Sequence, residues 1–420
     1  MMISLTKRFT KLAIFGSLSF ILTTAGLWLY WDAIQYMMTS GKIPTLDFQF
    51  EDFMNRHDDI VDDMMKKYDK IMKAEVKEPN VGNLVYAPES LVDYGRENAT
   101  LLMLVRNKEL RTALQAIETV ESQFNHKFQY PYVFLNDKEF TDKFKSTITE
   151  KVSGQVFFET IDKVTWDRPD WIDSAKESER IKVMRKYNVG YADKLSYHNM
   201  CRYYSRGFYN HPRLQQFKYY WRFEPGTHYH TSIDYDVFKF MSANDKTYGF
   251  VISLYDTERS IETLWPETLK FIEQNPQFVN KNAAWDWLTE KKQNPQKTRI
   301  ANGYSTCHFW SNFEIGDMDF FRSEAYTKWV NHLDATGGFY YERWGDAPVH
   351  SIGATLFQDK SKVHWFRDIG YYHAPYYQCP NSPQSDGKCE VGKFSFPNLS
   401  DQNCLINWIE MVADNELSMY

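Results

Sequence analysis

Cysteine is scarce in this 420-residue chain, with five in all, and none falls into the short paired spacings of a structural zinc site. The sequence also lacks a His-Glu-X-X-His pair, a Walker phosphate loop and a Gly-X-Ser-X-Gly elbow. These absences remove zinc proteases, P-loop nucleotidases and serine hydrolases of the usual kind. Charge of one sign is thin: the net value is −6, spread without long blocks, so the chain has no basic footprint for nucleic acid. No internal repeat or low-complexity tract occurs, which excludes solenoids.

One long apolar run does occur. Residues 12–31, LAIFGSLSFILTTAGLWLYW, carry no charge. About twenty residues at a rise of roughly 1.5 Å span a bilayer core. Lys7, Arg8 and Lys11 precede the run and Asp32 follows it, so the short N-terminus stays cytosolic and the remainder crosses. A cleaved signal peptide would have a shorter core and a small-residue exit. The Leu-Trp-Leu-Tyr-Trp ending instead suits a membrane interface. The expected division is a cytosolic tail at 1–11, a transmembrane anchor at 12–31, a stem at 32–97 and a lumenal catalytic domain at 98–420. Across the membrane cysteines can pair. Cys379 and Cys389 flank a short polar loop; of Cys201, Cys307 and Cys404, at most two form another bond. Asn98-Ala-Thr and Asn398-Leu-Ser are glycosylation sequons that fit the same compartment.

The stem is polar and acidic, and Phe53, Ile60, Met64 and Ile71 can line one face of a helix. At Thr100 the character changes. TLLMLV reads as a buried strand, Asn107 as the cap of a helix with Leu110, Leu114, Ile117 and Val120 on one face, and YPYVFL as a second strand. Strand, helix, strand at this spacing predicts a parallel α/β sheet, with ligands at the carboxyl ends of its strands. QVFFETI and YGFVISLY read as further strands. Helices are predicted over 174–187, 193–208, 265–274, 282–292, 317–335 and 346–357. Aromatic residues reach 17 %, which serves a large core and sugar stacking alike.

Four segments concentrate chemistry. Residues 219–238, YYWRFEPGTHYHTSIDYDVF, hold Glu224, His228, His230, Asp234 and Asp236. Acids two apart on extended backbone face the same way and can hold a cation against a diphosphate; a solvated turn would carry the same pair. In NFEIGDMDFF, Glu314 and Asp317 lie among apolar residues, where a buried carboxylate needs a partner or a task. Asp317 also reads as a helix cap. YYERWGDAPVHS brings Glu342, Arg343, Asp346 and His350, and RDIGYYHAPYYQCP brings His373 at a strand end. Glu224 and His373 each close an expected strand, on one edge of the parallel sheet.

YWRFEP with IDYD, HFWSNFEIGDMDFFRSEAY, GGFYYERWGDAPVHSIGATLF and DIGYYHAPYYQCP together resemble the fungal Golgi α-1,2-mannosyltransferases related to the killer-toxin-resistance enzyme. LVRNKELRTALQAIETVESQFNHKFQYPYVFLNDKEF and SYHNMCRYYSRGFYNHP fit the same family, and the resemblance runs from about Thr100 to Cys404. It implies a type II Golgi membrane protein with an α/β, GT-A-like nucleotide-sugar fold. It also implies retaining transfer of mannose from GDP-mannose to mannoside acceptors of N- or O-linked glycans. By the same resemblance Glu224 and His373 bind Mn²⁺, Glu314 is the nucleophile, and Tyr197 and Asp346 belong to the reaction centre. Arg106 lies near the nucleotide, and Asp234 and Asp236 belong to the donor site. Relatives commonly carry Cys-Asp where this chain has Thr231-Ser232, so one acid and one cysteine are missing here. Mannosylphosphate transfer, a catalytically silent partner of Golgi transferases and a metal-dependent hydrolase are the competing readings.

Overall fold

The computed structural model describes residues 50–76, 84–396 and 399–412. The apolar run at 12–31 and the sequon at Asn398 lie outside them, and among the described residues no helix is long and apolar enough to cross a membrane. Asn98 is exposed.

Among the described residues, twelve strands follow in chain order: β1 (Ala99–Leu104), β2 (Tyr132–Asn136), β3 (Val156–Thr160), β4 (Tyr219–Arg222), β5 (His228–Tyr229), β6 (Tyr248–Phe250), β7 (Ser253–Tyr255), β8 (Cys307–Phe309), β9 (Glu314–Asp317), β10 (Val363–Trp365), β11 (Tyr371–His373) and β12 (Tyr376–Gln378). Seven of them form the central sheet in the order β10-β6-β9-β4-β1-β2-β3. Every pairing in it is parallel except those of β9, which runs against both β4 and β6. The result is an α/β fold on a mixed, mostly parallel sheet.

β1 and β2 are the uninterrupted apolar runs expected of strands covered on both faces, and their residues are buried almost throughout. The amphipathic helix Leu110–Val120 connects them, burying Ala113, Ala116, Ile117 and Val120. Asn107 does not cap it. A short 3₁₀ turn at Asn107–Glu109 comes first, and the Asn107 amide instead bonds the backbone of Glu139 and Thr141. The predicted strand YGFVISLY is two strands in different sheets: β6 joins the central sheet, and β7 pairs with β8. The predicted helix over 317–335 is broken at Ser323, which caps Glu324–Thr336, while Asp317 caps Met318–Arg322 as read. The helix expected over 282–292 shrinks to Trp285–Leu288.

Cys379 pairs with Cys389 and Cys307 with Cys404; Cys201 is free and buried. The compact unit begins at Ile60 and takes in the helix Phe50–Lys73 from that residue on. Met64, Tyr68, Ile71 and Met72 enter the main core, and Arg367 donates to the carbonyls of Ile71 and Ala74 at 2.7 and 2.8 Å. Those carbonyls would otherwise be orphans of the helix end.

The core also sets a pH dependence. His364 on β10 is buried between Phe240 and Phe366, with ring centroids 4.7 Å from each. Burial, helped by Lys246, pushes its pKa down to about 3. The unfolded chain therefore takes up a proton near pH 6.5 that the folded chain refuses. Stability is full above about pH 6.5 and should fall by roughly 1.4 kcal/mol per pH unit below it, until the folded-state value is reached. Urea midpoints at pH 7 and pH 5 should differ accordingly, and His364→Phe should flatten the dependence. A variant as acid-sensitive as the parent would assign the effect to other groups.

Candidate active site

The carboxyl ends of the parallel strands open onto a cavity of about 710 Å³. Its lining follows the strand order. Asn136 comes from the end of β2, Arg106 follows β1, and Glu224 follows β4. β9 is antiparallel, so its first residue, Glu314, stands at this same edge, paired with Arg222. Beyond β9, on the far side from β1 and β2, the chain leaves β6 through β7 and reaches Asp256. Asp346 enters from above at the start of the helix Asp346–Leu356, where the helix dipole favours an anion.

Arg222 is the hub of this edge. Its side chain is almost wholly buried and lies over the Tyr204 ring, 3.5 Å from the centroid. One guanidinium nitrogen donates to Asp346 at 2.5 Å and the other to Glu224 at 2.5 Å. Glu314 lies 3.6 Å from the first of these. Ser311 also donates to Asp346, at 2.8 Å. Burial would raise the Asp346 carboxyl, but Arg222, assisted by His350, holds it below the usual carboxylate range. Asp346 is thus a lasting negative charge on the cavity wall.

Glu314 is fully buried at this edge, and its oxygen 3.6 Å from Arg222 has no hydrogen-bond partner. Tyr248 donates to one carboxylate oxygen at 2.8 Å, and His350 Nδ1 faces the same oxygen at 2.9 Å. His350 Nε2 faces the Tyr204 carbonyl, which can only accept, so that nitrogen carries a proton. Burial works against charge on His350, yet Glu314 outweighs it and raises its pKa.

His373 lies on the wall with Glu224, but the route differs from the one expected. β11 belongs to a three-stranded antiparallel sheet with β5 and β12, not to the central sheet. Glu224 turns through Pro225 and Gly226 into β5, and β5 pairs with β11 so that Tyr372 opposes His228. This return brings His373 back beside Glu224. Burial lowers the His373 pKa, partly offset by Glu224, which leaves a neutral imidazole whose buried Nδ1 has no hydrogen-bond partner. A buried, unpartnered imidazole nitrogen beside a partly exposed carboxylate fits a divalent cation. Among the described residues no group of three or more His, Cys, Asp or Glu side chains gathers, so most of the coordination would fall to ligand oxygens and water.

Arg106 lines the cavity beside Asn136 and is held by an ion pair to Glu109. Tyr197 lines it too. Burial keeps its phenol protonated, and its ring stacks on Tyr191 at 4.5 Å. Asp234 and Asp236 are not part of this site. Asp234 pairs with Lys127 at 2.7 Å. Asp236 is buried, caps the helix Val237–Ala243, and accepts from Tyr94 and Tyr130 at 2.6 and 2.7 Å. Its oxygens are occupied, so the acid-X-acid pair is structural. Thr231 and Ser232 likewise bind locally, to Asp368 and Asp234, away from the cavity. Arg222, Ser311 and Asp256 were missed in the sequence, and Arg343 was noticed without a role. An arginine inside the apolar strand YYWR was the available signal, since a buried cation demands carboxylate partners.

A nucleotide-sized cavity at the carboxyl edge, with an acid pair bridged by arginine and a free imidazole, defines a group-transfer enzyme handling an anionic leaving group. The chain belongs to the family described as glycolipid 2-alpha-mannosyltransferase, whose model matches residues 58–413, and it is a glycosyltransferase. It is similar to the "Probable mannosyltransferase KTR4" of Saccharomyces cerevisiae, with 48 % identity over 361 residues, covering 84 % of this chain and 77 % of the relative. It is 46 % identical over 297 residues to the alpha-1,2 mannosyltransferase KTR1 of the same yeast, covering 70 % of this chain and 74 % of that one. Among solved structures, the mannosyltransferase Ktr4p from S. cerevisiae in complex with GDP superposes with a TM-score of 0.84 at 45 % identity, covering 90 % of this chain and 95 % of that one. Core-mannan synthase A (CmsA/Ktr4) from Aspergillus fumigatus, in its Mn/GDP form, gives 0.79 at 46 % identity, covering 81 % and 93 %.

Proposed function

We propose that the chain is a retaining α-1,2-mannosyltransferase of GT-A-like fold that moves mannose from GDP-mannose to a mannoside acceptor. We further propose that it is held in the Golgi membrane by residues 12–31 with its catalytic unit lumenal. Protease treatment of sealed vesicles should then spare the bulk of the chain.

The observation that carries the chemistry is the order of groups along the sheet edge. Arg106 and Asn136 stand where α/β sheets bind nucleotides. Glu224 and His373 line the same cavity, where a diphosphate would lie, and Asp346 stands on its wall, where the sugar would lie. Glu224 and His373 would hold Mn²⁺, which when bound supplies positive charge against the departing diphosphate. Transfer forms a bond between the acceptor hydroxyl oxygen and the anomeric carbon. It breaks the bond from that carbon to the β-phosphate oxygen, and the acceptor proton leaves with GDP. The developing oxocarbenium needs a nearby anion. Asp346 fits this task better than Glu314, because it lines the cavity whereas Glu314 is fully buried. A carboxylate held so firmly ionised suits charge stabilisation more than nucleophilic attack. Glu314, itself held by Tyr248 and His350, lies 3.6 Å from Arg222 and helps to fix it.

Release of GDP from a panel of nucleotide sugars, with a simple α-mannoside as acceptor, tests the donor. GDP-mannose alone should turn over; preference for a different donor would overturn the reading. Glu224→Ala or His373→Ala should each raise the Mn²⁺ concentration giving half-maximal rate by at least about ten-fold, the order expected for losing one metal-associated group. The double variant should be little worse than either single one. Additive effects would show that the two residues act apart.

A further inference from the structure

Of the three carboxylates around Arg222, Glu314 is the one the arginine serves least. Glu224 and Asp346 stand 2.5 Å from its guanidinium, whereas Glu314 stands 3.6 Å away, beyond hydrogen-bond length, and is fully buried. A charge so deeply buried needs a partner of its own. His350 is in place to be that partner. It projects from the helix Asp346–Leu356 one turn after Asp346, so the two side chains share a helix face. Its ring is fully buried, with the Phe321 and Phe208 rings centred 4.8 and 6.0 Å away.

The contacts fix where its protons are. Nε2 lies 2.9 Å from the Tyr204 carbonyl, which only accepts, so Nε2 carries one proton. Nδ1 lies 2.9 Å from a Glu314 oxygen that already accepts from the Tyr248 hydroxyl at 2.8 Å. Burial keeps that phenol protonated, so Tyr248 stays a donor. A phenol donating to one oxygen and a guanidinium near the other both favour the ionised carboxylate, which leaves a second proton on Nδ1. With both nitrogens protonated the ring is an imidazolium. Burial alone would lower the His350 pKa, yet Glu314, with Asp346 adding to it, raises it above the ordinary histidine value. The remaining titratable neighbour is Tyr326, 6.5 Å between ring centres, whose hydroxyl donates to the Ser205 carbonyl and offers His350 no acceptor.

We propose that His350 is a positioning residue for the transfer reaction: as a buried imidazolium it pins one oxygen of Glu314, and its charge helps to hold Asp346 as the anion of the reaction centre. This role rests on the transfer reading above, and it depends on the charge of the ring rather than on its bulk.

The test removes charge and keeps a donor. His350→Gln can still donate to Glu314 but carries no charge. At saturating Mn²⁺ and substrates it should lower kcat by about ten-fold, the middle of the range for coupling within one hydrogen-bonded network. GDP affinity should stay within about two-fold of wild type. The wild-type kcat should be held on the acid side and fall as pH rises through the raised His350 pKa, where the ring gives up its second proton; the variant should lack that alkaline limb. A variant with wild-type kcat, or one that keeps the limb, would overturn the proposal. Solid-state NMR of the full chain, with labelled histidine rings and glutamate carboxyl carbons, needs no substitution. Among the described residues two histidines face a glutamate, buried His350 and the partly exposed His332. The solvent-protected one should carry protons on both nitrogens at about pH 6.5, where a free imidazole has lost half of its second proton. A single proton there would also overturn the proposal. A wild type that transfers no mannose from GDP-mannose would defeat the transfer reading instead, and the NMR result would still decide the state of His350.

Discussion

Asp346→Asn is expected to lower the transfer rate by about 10²- to 10³-fold, the usual cost of removing one preorganised charge from a reaction centre. GDP binding should survive, because Arg106, Glu224 and His373 are untouched. Glu314→Gln should behave differently. It removes the carboxylate facing His350 and Arg222, and breaking a buried ion pair typically costs about 3–5 kcal/mol. Its main effect should therefore be a lower unfolding midpoint, with measurable transfer left in the folded fraction. Paired measurements of rate and midpoint on both variants decide the point. A silent but fully stable Glu314→Gln beside an Asp346→Asn within ten-fold of wild type would return the central role to Glu314.

Shortening the chain to begin at residue 85 is expected to prevent stable folding, whereas a chain beginning near residue 58 should fold. The shorter version loses Met64, Tyr68, Ile71 and Met72 from the core. At about 1.5–3 kcal/mol for each buried side chain, the loss is roughly 6–12 kcal/mol. That is comparable with the whole stability of a typical domain, about 5–15 kcal/mol. It also strips Arg367 of two carbonyl partners and Glu410 of its 2.6 Å ion pair with Lys67. Circular dichroism and thermal melts of the two lengths check this. Equal melting temperatures would mean that the helix is an appendage.

These two expectations show what the sequence could and could not reveal. β1 and β2 were legible because a strand buried on both faces writes itself as an apolar run, and the partly buried edge strand β3 was legible from its Val-Phe-Phe. The stripe through Ile60, Met64 and Ile71 was legible as a helix, but its docking was not. Its partners Arg367, Asn381, Phe394 and Glu410 lie some 300 residues later and carry no local sign of it. β9 was hidden because Glu-Ile-Gly-Asp has neither length nor alternation; its place between β4 and β6 is a property of the whole sheet. That hidden strand is what puts Glu314 and Arg222 side by side. The pair Asp234 and Asp236 misled for the opposite reason. Its spacing is a local feature, while its use is fixed by Lys127, Tyr94 and Tyr130 from elsewhere. Glu224, Tyr197, Asp346 and His373 were found through long family motifs, and the fold brings all four to one cavity.

The most direct test of the central claim is proton NMR of the first-formed product, from GDP-mannose and methyl α-mannoside with Mn²⁺. The expected product is a disaccharide with a new α-anomeric signal and a glycosidic bond to O2 of the acceptor. A β-linked product, or a mannosylphosphate diester in place of a glycoside, would contradict it.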